Sequence, residues 1–151
     1  MSIGLTASRD RPAVDLSLLI VRLAVGVIFA AHGSQKLLGA FGGPGLAKIV
    51  EMMGPIGYLV TIGEFFGGLG LIVGFLSRFS AASLIVIMIG AVSMVHAKNG
   101  FFLDKGGFEY NIALIGLLCP ILLCGPGRFA IGRFLPLPKS AGTDRPILIL
   151  E

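Results

Sequence analysis

The stretch IGYLVTIGEFFGGLGLIVGFL, residues 56–76, decides the fold class because it is apolar nearly from end to end. A bilayer core of about 30 Å requires roughly 20 apolar residues in a helix, and this stretch is long enough to cross it. One carboxylate, Glu64, lies near its middle. An ionisable side chain at that depth costs roughly 2.5–3.5 kcal/mol, so the sequence predicts a membrane helix whose Glu64 faces a partner on another helix.

The composition of the whole chain is also that of a membrane protein. Of the 151 residues, 55% are hydrophobic and 13% are charged, and the mean hydropathy is +0.94; a soluble domain has about 25% charged residues. The net charge of +4 does not indicate nucleic acid, because the basic residues are scattered singly at the ends of apolar runs. We therefore expect a lipid bilayer around the chain and exclude nucleic acid as a partner.

Apolar runs at residues 16–38, 55–76, 80–97 and 109–125 are separated by segments rich in glycine, proline or charge. Backbone groups in hydrocarbon must bond to one another, and these runs lack the alternation of barrel strands. The prediction is an all-α fold, an integral membrane four-helix bundle formed by residues 16–135. Residues 1–15 are predicted to be a cytoplasmic N-terminal segment, and residues 136–151 a cytoplasmic tail.

The distribution of basic residues predicts the orientation. Lysine and arginine are more frequent on the side of the membrane that holds both termini, which places the N and C termini in the cytoplasm. We therefore expect a multi-pass protein of the cell (inner) membrane. An N-terminal signal peptide is the alternative, but Arg22 would fall inside the uncharged core of such a signal.

The few polar side chains inside the spans and at their outer ends form a candidate site. Arg22 and Lys36 share one stripe of the first helix, and the partner of Glu64 is expected to be Arg22 below it or His32 and Lys36 above it. The third and fourth helices bring further polar groups to the same end. The candidate catalytic residues are His32, Glu64, His96 and Glu109, and the candidate substrate-binding residues are Arg22, Gln35, Lys36, Asn99 and Tyr110.

Each of these residues also has a structural interpretation. Glu64 could fix helix register in a buried ion pair, Lys36 could extend to the interface, and Glu109 could stabilise a helix N-terminus. Histidines and carboxylates are also ligands for zinc or iron, but their spacing matches no short metal-binding motif, so the metal signal is weak. Proton exchange with a quinone is the favoured chemistry, and the cofactor itself stays open.

Several segments together resemble the DoxX family of small bacterial four-helix membrane proteins. They are RLAVGVIFAAHGSQKLLGAFGG, GEFFGGLGLIVGFLSRFSA, HAKNGFF, GGFEYN and CGPGRFAI, in this order between about residues 16 and 135. The resemblance implies a membrane oxidoreductase, because relatives in that family include the quinone-linked subunit of thiosulfate:quinone oxidoreductase and proteins tied to resistance against catechols, quinones or oxidative stress. Fold-level analogy alone does not establish the reaction.

Two functions from different classes follow. In the first, the protein is a membrane oxidoreductase component, quinone-linked, with a polar pocket in the outer half of the bundle. Because the sequence has no recognisable flavin, haem or iron–sulfur motif, its electrons would come from a redox partner protein or a diffusible reductant. In the second, it is a non-catalytic membrane scaffold, a binding subunit or a small-solute carrier. A homo-oligomer is compatible with both.

Overall fold

The computed structural model describes residues 11–134, which fold into helices joined by short turns. The five α-helices are α1 (Arg11–Leu38), α2 (Gly45–Met53), α3 (Ile56–Val73), α4 (Ser77–Ala91) and α5 (Glu109–Cys124). No strand occurs within these described residues, so the prediction of an all-α fold is confirmed for them. The predictions for residues 1–10 and for the tail after residue 134 lie outside them.

Three helical stretches are long and apolar enough to span a membrane. They are Pro12–Leu38, Ile56–Val73 and Ser77–Asn99. The third is α4 continued by a π-helical turn, Val92–His96, and a 3-10 turn, Ala97–Asn99. α5 is also apolar but shorter, with 16 residues. Only 22–39% of the residues in the apolar windows of the three stretches are buried, so apolar side chains also cover the outside, as in a membrane protein.

The short helix α2 is the main difference from the predicted elements. Gly45–Met53 lies in the segment between the first two apolar runs, for which no helix was predicted. α2 follows Pro44 and packs Ile49 against Gly57 of α3, while Lys48 and Glu51 remain exposed. With nine residues, one buried apolar side chain and two exposed charges, α2 is too short for its amphipathic pattern to identify it in the sequence.

Glycines let α1 and α3 approach closely. A Cβ atom on Gly68 of α3 would lie 2.8 Å from the carbonyl oxygen of Gly26 on α1 and even closer to the amide nitrogen of Ala30. A Cβ on Gly33 would lie 2.5 Å from the Cα of Phe65. Any larger side chain at either glycine would collide with the backbone of the facing helix, so these glycines fix the register of α1 against α3.

The remaining contacts complete a single core. α1 also contacts α5, and α4 packs against both α3 and α5. Fully buried apolar side chains from all four of these helices meet between them, among them Val25, Phe29, Leu71, Leu84, Leu118 and Ile121. α1, α4 and α5 therefore surround the face of α3 that carries Glu64 and its neighbours.

Candidate functional site

Glu64 is paired with Lys36 across the contact between α1 and α3. The Glu64 side chain is 3% exposed, and both of its carboxylate oxygens lie 2.5 Å from the Lys36 ammonium nitrogen. Lys36 is 27% exposed, so its charged end is the part of the pair nearer to the surface. The close approach of the two helices at Gly33 and Gly68 sets the register that brings these side chains together. The structure thus selects Lys36 as the partner of Glu64 from the candidates on the first helix.

A pocket of about 220 Å³ lies beside this ion pair. Five of the predicted site residues line it: His32, Lys36, Glu64, His96 and Tyr110. The rest of the wall is mostly apolar and consists of Phe29, Met88, Ala91, Leu103, Gly107, Asn111 and Leu114. A few polar groups in an apolar wall are typical of a small-molecule site.

The backbone around His96 determines how its ring can act. His96 is the last residue of the π-helical turn, a feature often found at functional sites because its extra residue changes the direction of the side chains that follow. The Nδ1 atom lies 2.7 Å from the carbonyl oxygen of Gly106. Because a carbonyl oxygen only accepts hydrogen bonds, Nδ1 carries the hydrogen, which leaves Nε2 of the neutral ring as a proton acceptor.

Asn99 and Glu109 do not line the pocket but hold the loop that covers it. The Asn99 amide donates to the carbonyl oxygen of Gly106 at 3.1 Å, the same oxygen that His96 contacts. The Glu109 carboxylate accepts the backbone N–H of Leu103 at 2.9 Å. Leu103 and Gly107 of this loop are part of the pocket wall. The Asn99 and Glu109 side chains therefore hold that wall in position from outside the pocket.

Two other predicted residues lie away from the pocket. Gln35 packs against the turn after α1, where a Cβ on Gly43 would lie 2.6 Å from the Gln35 Cβ. Arg22 is 1% exposed and lies nearer the other end of α1. Its guanidinium donates to the carbonyl oxygens of Pro126 at 2.5 Å and Phe129 at 2.6 Å. The structure therefore does not bring Arg22 or Gln35 to the other predicted site residues.

Asn111 is a polar residue of the pocket wall that was not among the predicted site residues. It is 6% exposed, and its amide lies 3.4 Å from the sulfur of Met88. A polar amide in the first turn of an otherwise apolar helix was the available signal, since buried polar groups in a membrane are expensive. No such signal marks Met88, which looks like any other apolar residue of its helix.

The metal alternative lacks a ligand set in the described part of the chain. Within residues 11–134, no three histidine, cysteine, aspartate or glutamate side chains lie close enough together to hold a metal ion. His32, His96 and Glu64 share the pocket without forming such a group. What the arrangement offers instead is a buried ion pair, two imidazoles and a phenol around one apolar space.

Several known proteins are similar to this chain in sequence. The chain is 27% identical to inner membrane protein YqjF of Escherichia coli, over 80% of this chain and 93% of that protein. It is 25% identical to a protein of Bacillus subtilis named putative oxidoreductase CatD, over 85% of this chain and 93% of the relative. An uncharacterized membrane protein of Mycobacterium tuberculosis is 29% identical, over 83% and 85% of the two chains. No solved structure matches.

The family model for DoxX matches residues 17–97, from α1 through the π-helical turn of α4. This range includes Lys36, Glu64 and both histidines of the pocket. The resemblance found in the sequence motifs is thereby confirmed, and because the match covers more than half of the chain, the protein belongs to the DoxX family.

Proposed function

We propose that the protein is an oxidoreductase component of the inner membrane that binds a quinone or its reduced form in the pocket beside Lys36 and Glu64. The observation that carries this proposal is the ion pair in the wall of an apolar pocket that also holds His96 and Tyr110. Ionisable groups inside a membrane protein are costly and mark functional sites by default. Similarity to a protein named as a putative oxidoreductase supports the same class of reaction.

The proposed architecture is a four-helix bundle in which α1, α3, α4 and α5 cross the membrane and both termini are cytoplasmic. At about 1.5 Å per residue the 16 residues of α5 extend about 24 Å, so this helix would cross a locally thinned bilayer. Its contacts with α1 and α4 support this placement. Arg78 and Arg128 would then face the cytoplasm, and the pocket would open toward the outer leaflet.

Three polar groups of the pocket, His96, Lys36 and Tyr110, contact the ligand in the proposed reaction. Reduction of a quinone to its hydroquinone consumes two electrons and two protons, and the reverse reaction releases them. Nε2 of His96 accepts a hydrogen bond from a ligand hydroxyl, and the Lys36 ammonium donates one to a ligand oxygen. The Tyr110 hydroxyl does either, while Phe29 and Leu114 contact the ring. A redox partner protein supplies or accepts the electrons.

The test is binding and turnover by the purified full-length protein. A short-chain quinone should bind with a saturable signal, and the hydroquinone should be oxidised when an electron acceptor is supplied. Glu64→Gln and His96→Ala should each weaken binding or turnover at least about tenfold, because each removes a polar contact or disturbs Lys36. Glu51→Gln is the matched control, since Glu51 is an exposed carboxylate on α2 outside the pocket. Unchanged binding in both pocket variants would reject the proposal.

A non-catalytic scaffold or binding subunit is the second candidate, and one observation favours it. Lys36 already contacts both oxygens of Glu64, which is what a pair that only fixes helix register requires. In that case Glu64→Gln would change the stability of the protein and the amount of a partner protein that co-purifies with it. Any redox phenotype of the cell would persist as long as the variant is expressed at the normal level.

A further inference from the structure

The end of the molecule opposite the pocket contains two arginine side chains whose Nε atoms are buried. We call it the Arg22 end and define it by Arg22, Gly74, Ser77, Arg78 and the turn residues Gly125, Pro126 and Phe129. Arg22 is 1% exposed, and a Cβ on Gly74 would lie 2.9 Å from its Nη1 atom. Its two terminal nitrogens donate to carbonyl oxygens, but its Nε is buried without a hydrogen-bond partner.

Arg78 approaches the same turn from α4. A Cβ on Gly125 would lie 3.2 Å from the Arg78 Nε and 3.4 Å from its Nη2. Because Gly125 directly precedes Pro126, the two guanidinium groups flank adjacent residues of one turn. The Nε of Arg78 is also buried without a partner, and so is the hydroxyl of Ser77, a residue that is 0% exposed.

No carboxylate in the described residues pairs with these arginines. Across residues 11–134 the one ion pair is that of Lys36 and Glu64 at the opposite end. Asp15 contacts the turn, but its carboxylate accepts the backbone N–H of Arg128 at 2.9 Å. Three buried donor atoms at this end, the Nε atoms of Arg22 and Arg78 and the Ser77 hydroxyl, lack an acceptor among the described residues, and the two guanidinium groups also lack a counter-charge there. Both deficits are costly in an apolar environment.

We propose that the Arg22 end binds a phosphate group, and specifically the phosphodiester of an anionic phospholipid headgroup. Guanidinium groups recognise phosphate oxygens through directed hydrogen bonds, and the Arg78 Nε and the Ser77 hydroxyl are two unpartnered donors on consecutive residues. They are the first two residues of α4, whose N-terminus also favours an anion. A phospholipid is the source we favour because, in the proposed membrane bundle, this end of the candidate spans α1, α3 and α4 would lie among the headgroups. The site is separate from the pocket and does not depend on its chemistry.

The test compares melting temperatures of the purified full-length protein in an uncharged detergent with three additives. Phosphatidylglycerol should raise the melting temperature by about 5 °C more than phosphatidylcholine, since a ligand that binds only the folded state stabilises it. If inorganic phosphate reproduces the shift, the phosphate site is supported and a free anion is its source. Equal effects of the two lipids, with no effect of inorganic phosphate, would overturn the proposal.

Variants then locate the effect. Arg78→Gln should abolish the difference between the two lipids, whereas Arg128→Gln, which removes the same charge from an exposed arginine of the same turn, should retain it. If both variants lose the difference between the two lipids, the attraction is diffuse and a specific site is rejected. Retention of the difference in Arg78→Gln would also reject a specific site.

Ser77→Ala is the second variant, because the Ser77 hydroxyl has no partner in the protein whose loss would disturb folding. It should lower the affinity for phosphatidylglycerol several-fold, and an unchanged affinity would contradict the proposal.

Discussion

The two ends of α1 both place a cation inside the protein, and they stabilise it in different ways. Lys36 contacts a carboxylate, Glu64, and remains 27% exposed at the wall of a pocket. Arg22 is 1% exposed and contacts two backbone carbonyl oxygens, those of Pro126 and Phe129. The planar guanidinium presents several donors at fixed angles and can hold two carbonyls at once, whereas the ammonium is a compact point charge.

From this difference we expect a structural role for Arg22 and a functional role for Lys36 and Glu64. Arg22 fastens the turn after α5 to α1, so its loss should act on folding. Lys36 and Glu64 face a space that a ligand can enter, so their loss should act on both folding and binding. The following predictions test that separation, from the largest expected effect to the smallest.

Arg22→Met should have the largest effect on stability. It removes two hydrogen bonds from a charged donor, each worth roughly 1.5–3 kcal/mol, and leaves two carbonyl oxygens without their donor. We expect the free energy of unfolding to fall by about 4 kcal/mol, measured by equilibrium unfolding in mixed detergent micelles. Arg128→Met, at an exposed arginine, is the control. Similar stability of the two variants would show that Arg22 does not hold the turn.

Lys36→Met should lower the free energy of unfolding by about 2 kcal/mol, because it leaves the Glu64 carboxylate buried without a counter-charge. The effect should be smaller than for a fully buried pair since Lys36 is partly exposed to solvent. The same unfolding measurement applies, with Lys48→Met on the exposed side of α2 as the control. A loss no greater than in the control would contradict the importance of the pair.

Gly68→Ala should destabilise the protein by about 1–2 kcal/mol, because the added methyl group meets the backbone of α1 at Gly26 and Ala30. Gly90→Ala is the matched control, since a Cβ on Gly90 meets nothing within 4 Å. Alanine favours a helix over glycine, so the control should be neutral or slightly stabilising. Equal effects at both glycines would argue against close contact between α1 and α3.

Asp15→Ala should have the smallest effect, about 0.5–1 kcal/mol. It removes one hydrogen bond from the backbone N–H of Arg128 at an exposed position near the Arg22 end. Asp15→Asn keeps an acceptor oxygen and should recover most of the loss in the same unfolding measurement. A larger loss in Asp15→Ala than in Lys36→Met would contradict the expected order of these effects.

Much of the fold could be predicted because lipid imposes simple requirements on a sequence. The apolar runs at 16–38, 55–76, 80–97 and 109–125 coincide with helices within a few residues, apart from the earlier start of α1 at Arg11 and of α4 at Ser77. The expectation that Glu64 needs a cation on the first helix followed from the cost of a lone charge, and the structure supplies Lys36. The need for a cation beside Glu64 did not distinguish Lys36 from Arg22, since both residues lie on the same face of the first helix.

Other features of the structure could not be predicted because no residue type in the sequence indicates them. The partners of Arg22 are backbone carbonyls, which every residue has, so the sequence could not show that a turn more than 100 positions away would bind it. The π-helical turn that ends at His96 depends on backbone hydrogen bonds rather than on a residue type. Asn99 and Glu109 were recognised as polar groups near the pocket, but only the structure shows that they contact its covering loop.

The central claim is that Lys36 and Glu64 serve the pocket and do more than join two helices. The most direct test is quinone binding by the double variant Lys36→Met with Glu64→Met. Replacing both members of a buried ion pair by apolar residues is often neutral for stability, so the double variant should unfold close to wild type. We predict that it nevertheless binds a short-chain quinone at least about tenfold more weakly. Binding equal to wild type in this stable double variant would contradict the claim and leave the pair a purely structural element.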